Sequence, residues 1–260
     1  MTENVQDQNK EVLISVRDLV TGFGSQTVHN NLDLDVYRGE VLGVVGGSGT
    51  GKSVLMRTIL GLNPARAGQI SLFGHHRAEL ERHEEEALNR RMGVLFQDGA
   101  LFSALTVSEN IQVPMKQHLS LKPKLAEELA ALKIAMVGLA PEAADKYPSE
   151  LSGGMRKRAG LARALALDPE IVFLDEPTAG LDPIGAARFD ELIRQLADTL
   201  GLTVFMVTHD LDSLHAICDR IAVLAEQRVI VEGSMDKMLS FSHDWVQDYF
   251  RGPSARAVTG

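Results

Sequence analysis

The stretch from Gly46 to Ser53 reads GGSGTGKS, and it decides the fold of this 260-residue chain. It fits the pattern G-x-x-x-x-G-K-[ST], with Lys52 and Ser53 after the second fixed glycine. Residues 40–45, EVLGVV, precede it with the apolar run of a buried strand, and apolar residues recur at helical spacing after it. Strand, glycine loop and helix in this order are the context in which the pattern predicts a phosphate-binding loop.

The residue types of this loop indicate what it binds. Glycines let the backbone wrap a polyphosphate, so that N–H groups and the positive end of the following helix face the anion. We expect Lys52 to reach the β- and γ-phosphates and the Ser53 hydroxyl to coordinate Mg²⁺. The sequence therefore predicts a nucleotide-binding protein.

Composition narrows the classes of partner. Acidic residues outnumber basic ones by 35 to 26, a net charge of −9, which argues against nucleic acid as the main partner. Cys218 is the only cysteine, so no internal disulfide can form, as suits a reducing cytosol. No run approaches about 18 apolar residues, and the polar start lacks the apolar core of a signal peptide. We expect a protein that stays inside the cell.

The opening segment of the chain is predicted to be rich in β-structure. Residues 12–16 alternate like an edge strand, and residues 27–36 alternate again. Between them, Thr21 to Gly24 is predicted to be a turn that presents the aromatic ring of Phe23. His75 and His76 follow a later short strand and are expected to be solvated, because no further ligand stands at metal spacing.

The middle of the chain changes character. Residues 98–168 carry almost no strand signal and are rich in Ala, Leu, Glu and Lys, whereas buried-strand patterns return at residues 171–174 and 203–207. The predicted fold class is α/β: a P-loop NTPase with a mainly parallel sheet, an N-terminal antiparallel β region and a helical subdomain. The expected domains are a disordered lead-in at 1–10, an ATP-binding core at 11–97 and 169–233, the helical subdomain at 98–168 and a C-terminal helical tail at 234–260.

Two carboxylates end one of the predicted strands. Residues 171–176 read IVFLDE, and adjacent strand residues point in opposite directions. Asp175 is therefore predicted to enter the Mg²⁺ shell, and Glu176 to polarise the attacking water.

A second anion-binding helix terminus is predicted at LSGGM, residues 151–155. Ser152 is a good helix N-cap, and Gly153 and Gly154 leave backbone N–H groups uncovered. For the basic residues 156–158 that follow, a solvated helix face is predicted in preference to contact with nucleotide. A single phosphate group does not require both this helix start and the one after the glycine loop, so the presence of two needs an explanation.

The order and spacing of six motifs resemble those of ABC transporter ATP-binding subunits. The motifs are GGSGTGKS, Gln97, LSGGM, IVFLDE, Ala179-Gly-Leu-Asp182 and Thr208-His-Asp210. In that family two subunits face head to tail, and the LSGG of one closes on the ATP held by the P-loop of the other. The resemblance thus implies a homodimer that hydrolyses ATP and explains the two phosphate-seeking helix ends.

The resemblance also implies roles by position. Phe23 stands where an aromatic ring stacks on adenine, Gln97 senses the γ-phosphate, His209 contacts it, and Asp182 communicates across the dimer. The predicted catalytic residues are Glu176, His209 and Gln97, and the predicted metal ligands are Ser53, Gln97 and Asp175. The residues predicted to bind ATP are Phe23, Gly46, Gly47, Ser48, Gly49, Thr50, Gly51, Lys52, Ser53, Val54, Ser152, Gly153, Gly154 and Asp182.

Met155 and the pair Ala179-Gly180 depart from the commonest family motifs. The segments Phe96–Phe102, Tyr147–Met155 and Asp175–Pro183 resemble those of the Mla-type phospholipid ATPases and of their relatives that work with lipid-binding mammalian-cell-entry proteins. That resemblance implies a peripheral subunit on the cytoplasmic face of the inner membrane, which drives phospholipid movement between the inner and outer membranes and so maintains outer-membrane lipid asymmetry. The implied partners are a second copy, a permease dimer, a lipid-binding mammalian-cell-entry-type protein and a small accessory protein.

Two alternatives remain open. One is the ATPase of a small-solute importer, for example of amino acids; the other is a soluble ABC-type ATPase of iron–sulphur cluster assembly. In the tail, Trp245, Tyr249 and Phe250 fall near one helical face, which predicts packing either on the chain's own domain or on the dimer partner.

Overall fold

A computed structural model describes residues 10–252 of the chain. These residues divide into two compact units, one formed by the chain up to residue 88 and from residue 219 onward, the other by residues 89–218. The predicted lead-in lies outside the described residues except for Lys10, as does the last part of the tail. The domain boundaries drawn from the sequence stay a prediction.

The first unit contains the strands and helices from the two ends of the chain. Its strands are β1 (Val12–Phe23), β2 (Gln26–Tyr37), β3 (Val41–Val45), β4 (Ala67–Leu72), β5 (His75–His76), β9 (Arg220–Ala225) and β10 (Arg228–Gly233). Its helices are α1 (Lys52–Ile59), α2 (Arg82–Asn89, whose last residue begins the second unit), α8 (Met235–Ser240) and α9 (Asp244–Arg251).

The second unit holds three strands and the helices between them. The strands are β6 (Met92–Leu95), β7 (Ile171–Asp175) and β8 (Thr203–Val207), and the helices are α3 (Val107–His118), α4 (Pro123–Met136), α5 (Gly153–Ala164), α6 (Pro183–Leu200) and α7 (Leu211–Ile217). Short 3₁₀ turns occur at Arg77–Glu79, Pro141–Ala143 and Pro148–Glu150.

The antiparallel region of the first unit is a four-stranded sheet in the order β2-β1-β4-β5. The prediction of an edge strand at residues 12–16 was wrong: β1 lies between β2 and β4, which cover both its sides, and it runs on to Phe23. The predicted turn at 21–24 is correspondingly shorter. Phe23 pairs with Gln26, so only two residues connect the strands, with Gly24 in the left-handed region favoured in such hairpins.

Parallel pairing occurs in both units, as expected from the α/β pattern. In the first unit β3 pairs with β9 in parallel, and β9 continues into the antiparallel hairpin with β10. In the second unit β6, β7 and β8 pair in parallel, with Leu174 beside both Leu95 and Met206. All five residues of β3, of β7 and of β8 are buried, as is typical of strands covered on both faces.

The stretch between β6 and β7 is helical, as its composition predicted, and this fully described segment contains no strand. α3 begins at a capping box in which Thr106 accepts from the Glu109 N–H and Glu109 accepts from that of Thr106. The buried Asn110 side chain then binds the backbone of Phe102, Leu105 and Thr106, which holds the loop before α3 against the helix.

Candidate nucleotide-binding and catalytic sites

The glycine loop leads from β3 into α1, as its sequence predicted. Gly51 is the N-cap of α1, and no side-chain hydrogen bond caps that end. Lys52 lies over the loop, where its Nζ donates to the carbonyl oxygens of Gly46 at 2.8 Å and Gly47 at 3.1 Å. Residues 46–53, with this positive charge above them, are called the cradle below.

Gly51 is required at its position for two reasons. Its φ of 98° lies in the left-handed region. A Cβ there would also lie 2.5 Å from His29 Nε2 and would overlap the side chain of Val28. The loop backbone thus lies directly on β2.

His29 is a residue behind the loop that sequence reasoning missed. It is fully buried, its Nδ1 lies 2.8 Å from the Thr21 hydroxyl, and burial lowers its pKa to about 4. Strict alternation along β2 would put His29 and Leu32 on opposite faces, yet both are buried. The cause is a register irregularity: Leu19 pairs with Leu32 and Thr21 with His29, so two steps along β1 match three along β2. The extra residue reverses the alternation, so no period-2 signal could have found His29.

The opposite wall of the loop comes from the chain's C-terminal part. A Cβ on Gly47 would lie 3.5 Å from Trp245 Nε1. Trp245 stacks on Tyr249, with ring centroids 4.8 Å apart, and Val246 and Phe250 on the same helix are buried. Of the two predicted locations for the tail, these contacts correspond to packing on its own unit.

Phe23 lies at the tip of the β1–β2 hairpin, and 57% of it is exposed. The neighbouring Gly24 carbonyl accepts a hydrogen bond of 2.7 Å from Arg66, which anchors the hairpin tip. An exposed ring face on an anchored turn is suited to stacking on a planar ligand.

Two neighbouring carboxylates end β7 in the second unit, as predicted. Asp175, the last strand residue, is only 4% exposed. Glu176 follows with φ at 50°, its N–H donates to Val207 at 2.8 Å, and its Oε2 lies 2.8 Å from His209 Nδ1. The structure therefore brings together Glu176 and His209, two of the predicted catalytic residues. Gln97, the third, lies exposed in the turn after β6.

The basic residues after LSGGM do not form the solvated face that was predicted. Arg156 is exposed, but Lys157 is buried and its Nζ donates to the Glu176 carbonyl at 2.9 Å. Arg158 binds the Val137 carbonyl. The prediction fails because the face carrying residue 157 is the one that packs inward, and the long lysine side chain reaches a backbone acceptor there.

The LSGGM motif begins α5 as expected. The Ser152 side chain accepts from the Met155 N–H at 3.3 Å, and nothing approaches a Cβ position on Gly153 or Gly154 more closely than Leu181, at 4.0 and 3.8 Å. Ser152 and Gly154 line a cavity of about 430 Å³ whose lining includes neither Glu176 nor His209.

Asp182 has an observed local function. As the N-cap of α6, its side chain accepts from the Gly185 N–H at 3.0 Å. Its predicted function across a dimer stays a prediction.

Within residues 10–252, no group of three or more His, Cys, Asp or Glu side chains could hold a metal ion. In the same part of the chain, no helix has both the length and the apolar character needed to cross a membrane.

Comparison with known proteins identifies the family. Residues 29–179 match the ABC transporter family. The chain belongs to this family. The match begins at the buried His29 and ends just after the carboxylates of β7, so it includes the glycine loop, LSGGM and the Asp175–Glu176 pair.

Curated relatives cover almost the whole of this ABC subunit. It is 37% identical to the intermembrane phospholipid transport system ATP-binding protein MlaF of Haemophilus influenzae, over 93% of this chain and 91% of the relative. It is 35% identical to the protein of that name from Escherichia coli K12, over 95% and 91%. A probable ribonucleotide transport ATP-binding protein of Mycobacterium tuberculosis is 36% identical, over 93% of this chain and 67% of the relative.

Solved structures share the fold. The cbiO1 subunit of an ABC transporter complex from Clostridium perfringens superposes with a TM-score of 0.80 and 27% identity, over 96% of this chain and 99% of that one. A dimeric ATP-binding cassette in a post-hydrolysis state, bound to ADP and phosphate, superposes with a TM-score of 0.77 and 27% identity, over 85% and 98%. These comparisons confirm the predicted fold class and the assignment as an ABC-type ATPase.

Proposed function

We propose that this chain is the ATP-hydrolysing subunit of an inner-membrane ABC transporter that moves phospholipid between the inner and outer membranes. The observation that carries the enzymatic part is the 2.8 Å pair of Glu176 and His209, which directly follows a strand ending in a buried aspartate. The phospholipid part is supported by the near full-length similarity to the two MlaF proteins.

ATP binding is assigned to the cradle of the first unit and to Phe23. The uncapped start of α1 and the Lys52 ammonium face the phosphates, and the exposed ring of Phe23 stacks on adenine. His29 supports the loop at Gly51, and Trp245 supports it at Gly47. The remaining ATP ligands are assigned by their position in the motif or directly after it: Ser48, Gly49, Thr50 and Val54.

The chemistry of the residues predicted to hold Mg²⁺ suits that ion. Ser53, Gln97 and Asp175 offer hydroxyl, amide and carboxylate oxygens, the donor type that Mg²⁺ prefers. A bound cation would offset the cost of burying the Asp175 carboxylate, which is 4% exposed. When bound, the ion neutralises charge on the phosphates.

Glu176 acts on the attacking water in this proposal. Its carboxylate accepts a hydrogen bond from the water and orients it for in-line attack, while the exposed His209 ring donates to the γ-phosphate and keeps the carboxylate in place. Gln97 then reports the state of the γ-phosphate to the membrane partner.

The complete site requires two copies of the chain. Ser152, Gly153 and Gly154 of one copy close on the ATP bound by the other, with Asp182 at the dimer contact. The open start of α5 supports this proposal, because nothing lies closer to a Cβ position on Gly153 or Gly154 than Leu181, at 4.0 and 3.8 Å. The pair works beneath a permease dimer, with a lipid-binding mammalian-cell-entry-type protein and a small accessory protein, at the cytoplasmic face of the inner membrane.

Glu176→Gln tests the enzymatic part. We expect ATP binding to persist and turnover to fall by about 10²- to 10⁴-fold, because a neutral amide cannot act as a general base. Glu142→Gln, in an exposed turn, is the matched control and should retain wild-type turnover. Normal turnover in Glu176→Gln would rule out the assigned function of this residue.

Purification from native membranes tests the cargo. We would isolate the tagged subunit in mild detergent and identify the accompanying proteins and lipids by mass spectrometry. A permease with a lipid-binding partner and bound phospholipid supports the proposal. A permease with a solute-binding protein would replace the cargo by a small solute, and soluble partners alone would favour the cluster-assembly class.

A further inference from the structure

Lys157 is a buried cation that is not among the residues proposed to bind ATP or Mg²⁺. It lies in the second turn of α5 with 6% of its surface exposed, and its Nζ donates to the Glu176 carbonyl at 2.9 Å. Burying a charged amine is costly unless it is hydrogen-bonded and faces opposite charge. The contacts that Lys157 makes must therefore offset this cost.

The electrostatic surroundings of Lys157 are acidic. Asp98, Glu176 and Asp175 each raise the pKa of the amine, but burial is the largest effect and leaves its pKa below the ordinary value. These carboxylates come from the turn after β6 and from the end of β7. Lys157 is thus a cation beside the predicted Mg²⁺ ligand and the predicted base.

The backbone of Glu176 is held in an uncommon conformation. Its φ of 50° is left-handed, a region that non-glycine residues occupy only where their surroundings compensate for the strain. Three contacts do so: the N–H donates to Val207, the carbonyl accepts from Lys157, and the carboxylate meets His209. Of these, the Lys157 contact is the one supplied by α5.

We propose that Lys157 is a positioning residue for Glu176, which holds the peptide of the catalytic carboxylate in its left-handed conformation from the helix that begins at Ser152. The inference rests on the proposed function of Glu176. It also gives α5 a second function: the helix whose start receives the partner's nucleotide carries, five residues further along, the group that fixes its own chain's base. Closure of the dimer is thereby linked to alignment of Glu176.

Lys157→Met tests the proposal by removing the ammonium while keeping an unbranched apolar side chain. We expect kcat to fall by about tenfold or more and KM for MgATP to stay within about twofold, because Lys157 orients the base without contacting nucleotide. Lys157→Arg, which keeps a cationic donor, should recover part of kcat. An unchanged kcat, or an equal loss in Lys157→Arg and Lys157→Met, would overturn the proposal.

Lys133→Met is a matched control. Lys133 is the other buried lysine of the second unit among the described residues, 3% exposed on α4 and ion-paired with Asp168. We expect Lys133→Met to keep wild-type kcat. If it loses as much kcat as Lys157→Met, the effect belongs to the loss of any buried lysine and the proposal is wrong. Thermal unfolding of both variants separates folding from positioning, and Lys157→Gln replaces Lys157→Met should the latter not fold.

A double-mutant cycle separates this inference from the proposed function. In single-turnover experiments, Lys157→Met should lower the rate little further in a Glu176→Gln background, because the lysine acts through the carboxylate. Multiplicative losses would overturn the positioning function of Lys157 even where Glu176 is the base. Normal turnover in Glu176→Gln alone would instead overturn the function of Glu176.

Discussion

His209 Nδ1 lies 2.8 Å from Glu176 Oε2, yet 70% of the histidine side chain is exposed against 15% of the glutamate's. The pair therefore has one fixed member and one open to solvent. The glutamate is anchored at the end of β7, while the histidine presents a ring edge to whatever binds there. Such an arrangement suits a histidine that contacts a ligand and a carboxylate that works behind it.

His209→Ala should lower ATP turnover by about 10²-fold, because the carboxylate loses the group that keeps it oriented. The free energy of unfolding should change by less than about 1 kcal/mol, as expected for a polar contact with one exposed partner. Steady-state ATPase assays and thermal unfolding measure the two effects. His215→Ala, on the exposed face of α7, should alter neither quantity, and a large loss of stability in His209→Ala would contradict the assigned function.

Gly51→Ala should destabilise the first unit more than Gly49→Ala does. Both glycines have positive φ, 98° and 79°, but a Cβ at residue 49 meets nothing within 4 Å, whereas one at residue 51 strikes His29. We expect a loss of about 1–2 kcal/mol from backbone strain at residue 49 and at least about 1 kcal/mol more at residue 51 from overpacking. Urea unfolding measures the difference, and equal losses would show that the contact with β2 does not constrain the loop.

Trp245→Ala should weaken ATP binding, because the ring is a wall of the glycine loop at Gly47. We expect KM for ATP to rise by about three- to tenfold with a smaller change in kcat, as for a residue that acts on binding alone. Trp245→Phe, which keeps a ring for Tyr249 to stack on, is the control and should lie close to wild type. Because Trp245 is the only tryptophan, wild-type fluorescence titrated with MgATP gives an independent measurement; a spectrum insensitive to nucleotide would contradict the predicted coupling of Trp245 to ATP binding.

Truncation after Gly233 addresses the whole tail. It removes the buried Met238, Val246 and Phe250, so we expect a lower melting temperature of the isolated subunit. Docking of the tail on the dimer partner stays a prediction, and unchanged dimer affinity and ATPase activity in this truncation would contradict it.

Asp190 should make stability depend on pH. Burial raises its pKa to about 6, although the Ser213 hydroxyl donates to it at 2.7 Å. The folded state therefore holds the proton more tightly than the unfolded state. The stabilisation of the folded state that results is complete below the ordinary pKa near 3.8 and is lost as the pH rises through 6.

Asp190→Asn should remove that dependence. Relative to wild type, the variant should gain up to about 3 kcal/mol of unfolding free energy between pH 4 and pH 7, at 1.36 kcal/mol per pKa unit. Chemical denaturation across this range measures the gain. Glu191→Gln, an exposed neighbour on α6, should show no such trend, and a difference curve for Asp190→Asn that stays flat would show that the carboxyl titrates normally.

Much of this protein follows from local patterns in its sequence. The glycine loop, the IVFLDE strand end and the Ser152 cap are encoded by contiguous residues, and apolar patterns located β2, β3, β7 and β8 to within a few residues. Because β7 and β8 are parallel neighbours, Glu176 after β7 meets His209 after β8. The motifs predicted both residues to be catalytic. These features depend on short-range steric and hydrogen-bonding rules, which a linear pattern carries.

Tertiary structure alone decided which side chains support these motifs. A register irregularity between β1 and β2 turns His29 inward behind Gly51, the packing of α5 buries Lys157 under Glu176, and the return of the chain through α9 sets Trp245 against Gly47. Each contact joins residues far apart in the chain. Its existence depends on how strands pair and helices pack, and a bulge or a buried cation leaves no periodic trace, so the sequence determined the chemical motifs while long-range packing determined what holds them in place.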